Sequence, residues 1–173
     1  MTAVEPRADS DAVPDRDLAL TVNGRRRRVR VEDRQLLVDV LRDNLGMTGT
    51  HIGCAGGDCG ACTVRMDGQI TKSCLVLAAS AEGADITTIE GYSPRGTLDH
   101  VQQAFWDLDA FQCGFCLPGH LFAVRDLLDR DPDPGEDDIR EALRGNLCRC
   151  TGYVNLVAAA GEAARRERED QER

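Results

Sequence analysis

Features that mark membrane proteins, exported proteins and self-contained enzymes are missing from this sequence of 173 residues. No apolar run approaches the roughly 18 residues that cross a membrane, and the polar N-terminal segment lacks the apolar core of a signal peptide. Aromatic residues make up only 4% of the chain, and it contains no nucleotide-binding glycine motif and no acid–base constellation. These absences predict a cytoplasmic protein that performs no bond chemistry by itself.

The net charge of −9 argues against nucleic acid as a partner, because contacts with phosphate require a cationic field. Four consecutive arginines at 25–28 are the one feature that opposes this exclusion. We predict that they lie on a solvated strand face. Docking to an acidic partner is the functional alternative.

The chain contains eight cysteines, arranged in clusters. Thiols stay reduced in the cytoplasm, so clustered cysteines indicate metal ligands or redox groups before they indicate disulfides. Small domains also often depend on a metal centre for stability, because they bury a small fraction of their surface. The cysteines are therefore the first candidates for function.

Two patterns divide the chain and predict an α+β fold. Residues 1–17 are polar and predict a disordered arm. Residues 18–93 show strand alternation and one helical segment, which predict a small mixed sheet packed on a helix. Residues 94–165 show helical periodicity and predict an all-α domain of four helices. Residues 166–173 are predicted to form a charged tail.

Turn and cap signals place the main elements. Asn-Gly at 23–24 and Asp-Gly at 67–68 predict two β-hairpins, because these dipeptides favour the tight turns of antiparallel strands. The apolar spacing between them predicts a helix that ends at Gly46. In the second half, helical spacing starts near Leu98, and the last helix is predicted to begin near Tyr153.

The first cysteine set has the spacing C-x4-C-x2-C followed by a fourth cysteine: Cys54, Cys59, Cys62 and Cys74. This spacing is typical of a plant-type 2Fe–2S site. The glycines of the loop 53–62 suit that site, because they let successive backbone N–H groups point at the anionic sulfurs. A zinc site, a disulfide or free thiols are the alternatives.

The second set combines C-x2-C with C-x-C: Cys113, Cys116, Cys148 and Cys150. Spacing alone leaves zinc open. The helical context favours an iron–sulfur cluster, because each pair precedes a predicted helix whose N-terminus would stabilise an anion. Pro118 is predicted at the first helical position of one helix, and Thr151 as the N-cap of the other.

The motifs GCAGGDCGACTV…SC, QCGFC and GNLCRCTGY together resemble the small iron–sulfur subunit of the xanthine dehydrogenase (molybdenum hydroxylase) family. The resemblance extends from about Leu18 to Ala164. It implies a ferredoxin-like β-grasp domain with one 2Fe–2S cluster, followed by a four-helix-bundle domain with a second cluster.

The same resemblance implies two ligand sets. The outer cluster is expected on Cys54, Cys59, Cys62 and Cys74. The inner cluster, beside the molybdopterin cofactor, is expected on Cys113, Cys116, Cys148 and Cys150. Gln112 is expected to contact the pterin, and Cys150 to lie on the pterin side of the inner cluster.

The implied function is that of an electron-transfer subunit within a larger enzyme. A large molybdopterin subunit would donate electrons, and FAD on a medium subunit, or another acceptor, would receive them after the two clusters. The expected assembly is a heterotrimer or its dimer. A free-standing ferredoxin and a zinc-based structural module are the rival interpretations.

A few residues depart from the family pattern or remain open. Leu117 and His120 stand where the family usually has Thr and Met, and His51 where it often has Lys. A mixed Cys/His iron site through His51 or His120 is an alternative to four cysteines per site. Phe105 is predicted in the core, while Trp106 could belong to the core or to a subunit contact.

Overall fold

The structure is a computed structural model that describes residues 13–93 and 96–172. The strands are β1 Asp15–Val22, β2 Arg25–Glu32, β3 Thr63–Met66, β4 Gln69–Lys72 and β5 Asp85–Thr87. The helices are α1 Leu37–Asp39, α2 Ile89–Tyr92, α3 His100–Asp107, α4 Leu117–Arg130, α5 Glu136–Leu143 and α6 Val154–Gln171. No helix in these described ranges is both long and apolar enough to cross a membrane.

The ends of the chain differ from the prediction. Residues 1–12 of the expected disordered arm lie outside the described residues, but Asp15–Asp17 belong to β1 and pair with β2. At the other end, α6 continues through most of the expected tail to Gln171. Intrahelical Arg–Glu pairs support that extension, among them Arg166 with Glu162 at 2.7 Å.

Both predicted hairpins are confirmed. Asn23 and Gly24 connect β1 to β2, and Asp67 and Gly68 connect β3 to β4. All four residues have positive φ, as the tight two-residue hairpin turn requires. The predicted solvated face is also confirmed, because the run 25–28 lies on β2 and is largely exposed.

The five strands form one mixed sheet in the order β2-β1-β5-β3-β4. The sheet pairs are antiparallel except for β1 with β5. One face of the sheet buries an aliphatic core, built chiefly from Leu18, Leu20, Val22, Leu37, Leu41, Val64 and Ile86. The sheet and its short helical segment match the mixed layer predicted for the first half.

The predicted helix before Gly46 is shorter and less regular than its periodicity indicates. Regular α-helix covers only Leu37–Asp39, and the next turn, Val40–Asn44, is a wider π turn. The segment before it cannot be helical, because Leu36 forms a β-bridge with Leu77. Gly46 has φ +72° and ends the turn as predicted.

The helical half packs around its own core. Helix α3 packs against α6 and α4, and α5 packs against α4 and α6. Buried residues from all four helices contribute, among them Val101, Phe105, Val124, Leu143, Leu156 and Ala160. Helix α4 also contacts β3 and β4, so it joins the helical core to the sheet.

Phe105 and Trp106 provide a matched test of this packing. Phe105 is 1% exposed and Trp106 is 63% exposed. We expect Phe105→Ala to lower the free energy of unfolding by about 3–5 kcal/mol, because it opens a cavity in the helical core. Trp106→Ala should change it by about 0.5 kcal/mol or less. Guanidinium denaturation of the full chain measures both, and equal losses would contradict the packing described here.

Candidate metal centres

The loop 53–62 wraps its backbone around the first thiol. The N–H groups of Gly56 and Cys59 donate to Cys54 Sγ at 3.3 and 3.4 Å. The Cys59 N–H, then the Gly56 N–H, lower the pKa of Cys54 to about 7. The loop therefore favours a thiolate at Cys54, as the glycine-rich sequence predicted.

The other thiols of the first set lie deeper. Cys62 and Cys74 are buried, and Cys74 sits on a 3-10 turn that follows β4. Ser73 ties this turn to the loop, because its hydroxyl donates to the Cys62 carbonyl oxygen at 2.7 Å. Burial, and then contact with the Cys62 thiol, raise the pKa of Cys74 to about 11.

The second set is gathered from two segments. Cys113 and Cys116 precede α4, with Cys116 at its N-cap position, and Cys148 and Cys150 precede α6. The Sγ atoms of Cys113 and Cys150 are 3.7 Å apart. Burial, and then contact with the Cys148 thiol, raise the pKa of Cys116 to about 12.

Thr151 has a different part from the predicted one. The N-cap of α6 is Tyr153, whose φ is +70°, and Thr151 does not cap the helix. Its hydroxyl instead donates to Cys148 Sγ at 3.1 Å, and its N–H to the same sulfur at 3.4 Å. Burial opposes the thiolate, but these donors, together with the Cys150 N–H and the Cys116 thiol, outweigh burial and lower the pKa of Cys148. At the other helix, α4 begins at Leu117, so Pro118 is the second helical residue.

Within each set the thiols stand in pairs. Cys54 contacts Cys59 and Cys62 contacts Cys74. Cys113 contacts Cys150 and Cys116 contacts Cys148. All eight thiols are free. In the described ranges, no three His, Cys, Asp or Glu side chains are grouped as ligands of one ion.

This pairing fits a 2Fe–2S cluster, whose two irons share four cysteine ligands. The cradle also fits, since a Cβ on Gly53 would lie 2.7 Å from Cys59 Sγ. Each set thus offers four thiols, and in each set hydrogen-bond donors point at a sulfur. The residues present suit the group that the sequence motifs predict.

The segments that carry the two sets are in contact where the sheet packs against the helices. The Leu147 N–H, adjacent to Cys148, donates to the Cys59 carbonyl oxygen at 2.9 Å. Gly60 lies against the same segment, because a Cβ there would be 2.4 Å from the Gly145 carbonyl oxygen. A backbone hydrogen bond therefore connects Cys59 of the first set to the residue that precedes Cys148 of the second.

Sequence reasoning missed several residues at this contact. Lys72 Nζ donates to the Gly145 carbonyl oxygen at 3.0 Å, and Leu147 supplies the hydrogen bond to Cys59. No spacing rule identifies them, because they act through positions that only the packing brings together. Their common signal is sequence proximity to a cysteine: Lys72 precedes Cys74 by two positions, and Leu147 precedes Cys148.

The residues that depart from the family pattern have distinct environments. His51 stacks on Phe115 with ring centroids 4.7 Å apart, and its Nδ1 lies 2.8 Å from the Phe115 carbonyl oxygen. His120 is buried, and neither ring nitrogen has a hydrogen-bond partner among the described residues. Burial, and then Lys72, lower the pKa of His120 to about 4. Leu117 is half-buried against the helical core.

Gln112 lies at an exposed edge of the second set. Its neighbour Cys113 is exposed, as is Cys150, whereas Cys116 and Cys148 are half-buried. Gln112, Cys113 and Cys150 are thus all exposed, and Cys113 lies against Cys150.

Two family models match the chain over the same two halves. A 2Fe-2S iron-sulfur cluster binding domain matches residues 20–87, and a second 2Fe-2S binding domain matches residues 88–161. Fold and thiol geometry together define an iron–sulfur protein with two cysteine-rich units.

Known proteins narrow the class. The chain is 48% identical over 145 residues to caffeine dehydrogenase subunit gamma of Pseudomonas sp. strain CBB1, covering 82% of this chain and 87% of that one. It is 47% identical over 147 residues to the nicotine 6-hydroxylase small subunit of Paenarthrobacter nicotinovorans, covering 85% and 88%. A chain in the crystal structure of quinoline 2-oxidoreductase from Pseudomonas putida 86 is 45% identical, with a TM-score of 0.82 and coverage of 88% and 97%.

The chain belongs to the small iron–sulfur subunits of the xanthine dehydrogenase (molybdenum hydroxylase) family. It is an iron–sulfur subunit of an oxidoreductase and does not carry the catalytic centre.

Gly60 tests the contact between the two halves, with Gly83 as its matched control. Both have positive φ, but a Cβ on Gly83 would meet nothing within 4 Å. Alanine at either position carries about 1–2 kcal/mol of backbone strain. We expect Gly60→Ala to cost about 1–3 kcal/mol more, because its Cβ meets the Gly145 backbone.

Denaturation of the full chain measures that difference, and hydrogen exchange of the Leu147 amide reports the contact directly. Exchange at Leu147 should accelerate in Gly60→Ala and stay unchanged in Gly83→Ala. Equal losses of unfolding free energy and equal exchange rates at Leu147 in the two variants would show that the approach of Gly60 to Gly145 does not stabilise the contact between the two halves.

Proposed function

We propose that this chain is the electron-transfer subunit of a multi-subunit molybdenum hydroxylase. It passes electrons from a molybdopterin site through two 2Fe–2S clusters to FAD or another acceptor. The observation that carries the proposal is the 2.9 Å hydrogen bond from Leu147 to Cys59, which connects a cysteine of the first four-thiol set to the residue that precedes Cys148 of the second. When bound, such clusters supply one-electron transfer.

Each thiol set has a defined role in this proposal. The outer cluster is held by Cys54, Cys59, Cys62 and Cys74. The inner cluster is held by Cys113, Cys116, Cys148 and Cys150. The pairing of the thiols and the N–H and hydroxyl donors to Cys54 and Cys148 support both assignments.

The exposed sides of the two sets suggest the direction of transfer. Gln112 and the Cys113–Cys150 pair face outward on the inner set, so we place the pterin there, with Gln112 in contact with it. Cys54 is the exposed thiol of the outer set, so the acceptor approaches on that side. Cys59 and Cys148 are less exposed than these thiols, and the hydrogen bond from Leu147 to Cys59 brings their segments together.

The partner subunits complete the proposal. We infer a large molybdopterin subunit and a medium FAD subunit, in a heterotrimer or its dimer, located in the cytoplasm. We assign the sheet half, 18–93, to a ferredoxin-like β-grasp domain and the helical half, 94–165, to a four-helix bundle. Residues 94 and 95, at this boundary, lie outside the described residues. Substrate choice belongs to the large subunit.

Spectroscopy of the assembled complex tests the two-cluster assignment. We expect two distinct 2Fe–2S EPR signals after dithionite reduction, together with about four iron and four sulfide per chain. One signal, or zinc in place of iron, would refute the assignment.

Matched cysteine variants assign each signal to one set. Cys148→Ser should remove only the inner signal and stop turnover, because the inner thiols are needed for electrons to leave the pterin site. Cys74→Ser should remove only the outer signal. Loss of the same signal in both variants would contradict two separate ligand sets.

Thr151 offers a milder test at the inner set. Thr151→Val removes the hydroxyl donor to Cys148 Sγ and keeps the shape of the side chain. A hydrogen bond to a charged group contributes about 1.5 kcal/mol, and it favours the more negative, reduced state. We expect the equilibrium constant for reduction of the inner cluster to fall about tenfold in this variant, which lowers its reduction potential by about 59 mV. Thr151→Ser keeps the hydroxyl, so an EPR-monitored redox titration should find the reduction potential of the inner cluster unchanged. A fall equal to that of Thr151→Val would overturn the role of this hydrogen bond.

A further inference from the structure

Lys72 is the one lysine among the 21 basic residues of the chain, and every other basic residue is arginine. It ends β4, two residues before Cys74, at the contact between sheet and helices. A lysine ammonium is a compact point charge on a flexible stem, whereas arginine presents a broad planar fork. The position therefore holds a small cation where the two halves meet.

The ammonium is held from both sides of this contact. Its Nζ donates to Thr63 Oγ1 at 2.9 Å and to the Gly145 carbonyl oxygen at 3.0 Å. Thr63 is buried, and its hydroxyl donates in turn to the Gly60 carbonyl oxygen at 2.7 Å. These hydrogen bonds fix the charge between the loop of the outer set and the segment that leads to Cys148.

The charge of Lys72 is directed at the outer set. Thr63, whose hydroxyl accepts the hydrogen bond from Nζ, directly follows Cys62, and Lys72 itself lies two residues before Cys74. Within residues 13–93 and 96–172, Lys72 forms no salt bridge to a carboxylate. A half-buried charge without a carboxylate partner is weakly screened by salt and acts on its neighbours.

We propose that Lys72 is a positioning residue that raises the reduction potential of the outer cluster. The inference rests on the proposed function, which places that cluster on the first thiol set. A site with four thiolates is anionic, and reduction adds one electron and no proton. A fixed positive charge at its edge therefore stabilises the reduced state more than the oxidised state.

The contacts also explain why the effect is selective and useful. The ammonium contacts the residue after Cys62 on the outer side, whereas its link to the inner segment is the uncharged carbonyl group of Gly145, three residues before Cys148. A higher potential at the outer cluster favours electron transfer from the inner cluster toward the acceptor side. Lys72 thus favours electron transfer in one direction, from the inner cluster to the outer cluster.

Redox titration of the assembled complex, followed by the two EPR signals, tests this role. Lys72→Gln removes the charge and keeps a hydrogen-bonding side chain. In this variant the equilibrium constant for reduction of the outer cluster should fall about tenfold, which lowers its reduction potential by about 59 mV for one electron. The reduction potential of the inner cluster should change less. Lys72→Met, which keeps the length without the charge, gives the same measurement if the glutamine variant does not assemble.

Two controls separate charge from contact. Lys72→Arg keeps the charge and should hold the outer potential close to that of the unaltered complex. Arg144→Gln removes an exposed charge beside Gly145 that is already paired with Glu141 at 2.7 Å, so it should change neither potential. A fall in Lys72→Arg equal to that in Lys72→Gln would overturn the proposal.

The remaining outcomes distinguish failure of the Lys72 role from failure of the cluster assignment. Two intact signals with an unchanged outer potential in Lys72→Gln, or a larger shift at the inner cluster, would refute the role of Lys72 alone. Absence of the outer 2Fe–2S signal from the unaltered complex would instead refute the cluster assignment on which this role rests.

Discussion

The hydrogen bond from the Leu147 N–H to the Cys59 carbonyl oxygen is the interaction on which the arrangement of this chain depends. It requires the outer loop and the segment before Cys148 to approach with little between them. Gly60 and Gly119 permit that approach, since a Cβ on Gly119 would lie 2.3 Å from the Gly60 carbonyl oxygen. Two separately packed cores are thereby held together, with Cys59 beside the residue that precedes Cys148.

Within each set, burial raises the pKa of some thiols, whereas hydrogen-bond donors lower the pKa of others. Cys54 is exposed and receives two N–H donors, so its pKa falls to about 7. Cys74 and Cys116 are less accessible, and burial raises the pKa of each, to about 11 and about 12. Nearby positive charge, such as that of a bound metal, therefore favours anionic sulfur at these deeper positions, and Lys72 adds positive charge close to Cys74.

Local signals predicted much of the fold and the cysteine sets. The hairpins follow from Asn-Gly and Asp-Gly, since these residues tolerate positive φ. Other predictions failed where distant contacts overrode local preference. The helix before Gly46 is short because Leu36 is held in a β-bridge to Leu77. Thr151 has the chemistry of an N-cap, but its hydroxyl points at Cys148 Sγ instead.

The sequence by itself determined the two cysteine sets, the succession of sheet and helices, and membership of the family. Spacing along the chain carries that information because loop and helix geometry are local. Only the tertiary structure decided how the thiols pair, which of them are buried, and which residues join the segments that carry the two sets. Those properties depend on residues far apart in sequence, such as Cys59 with Leu147 and Lys72 with Gly145, which only packing brings within hydrogen-bond distance.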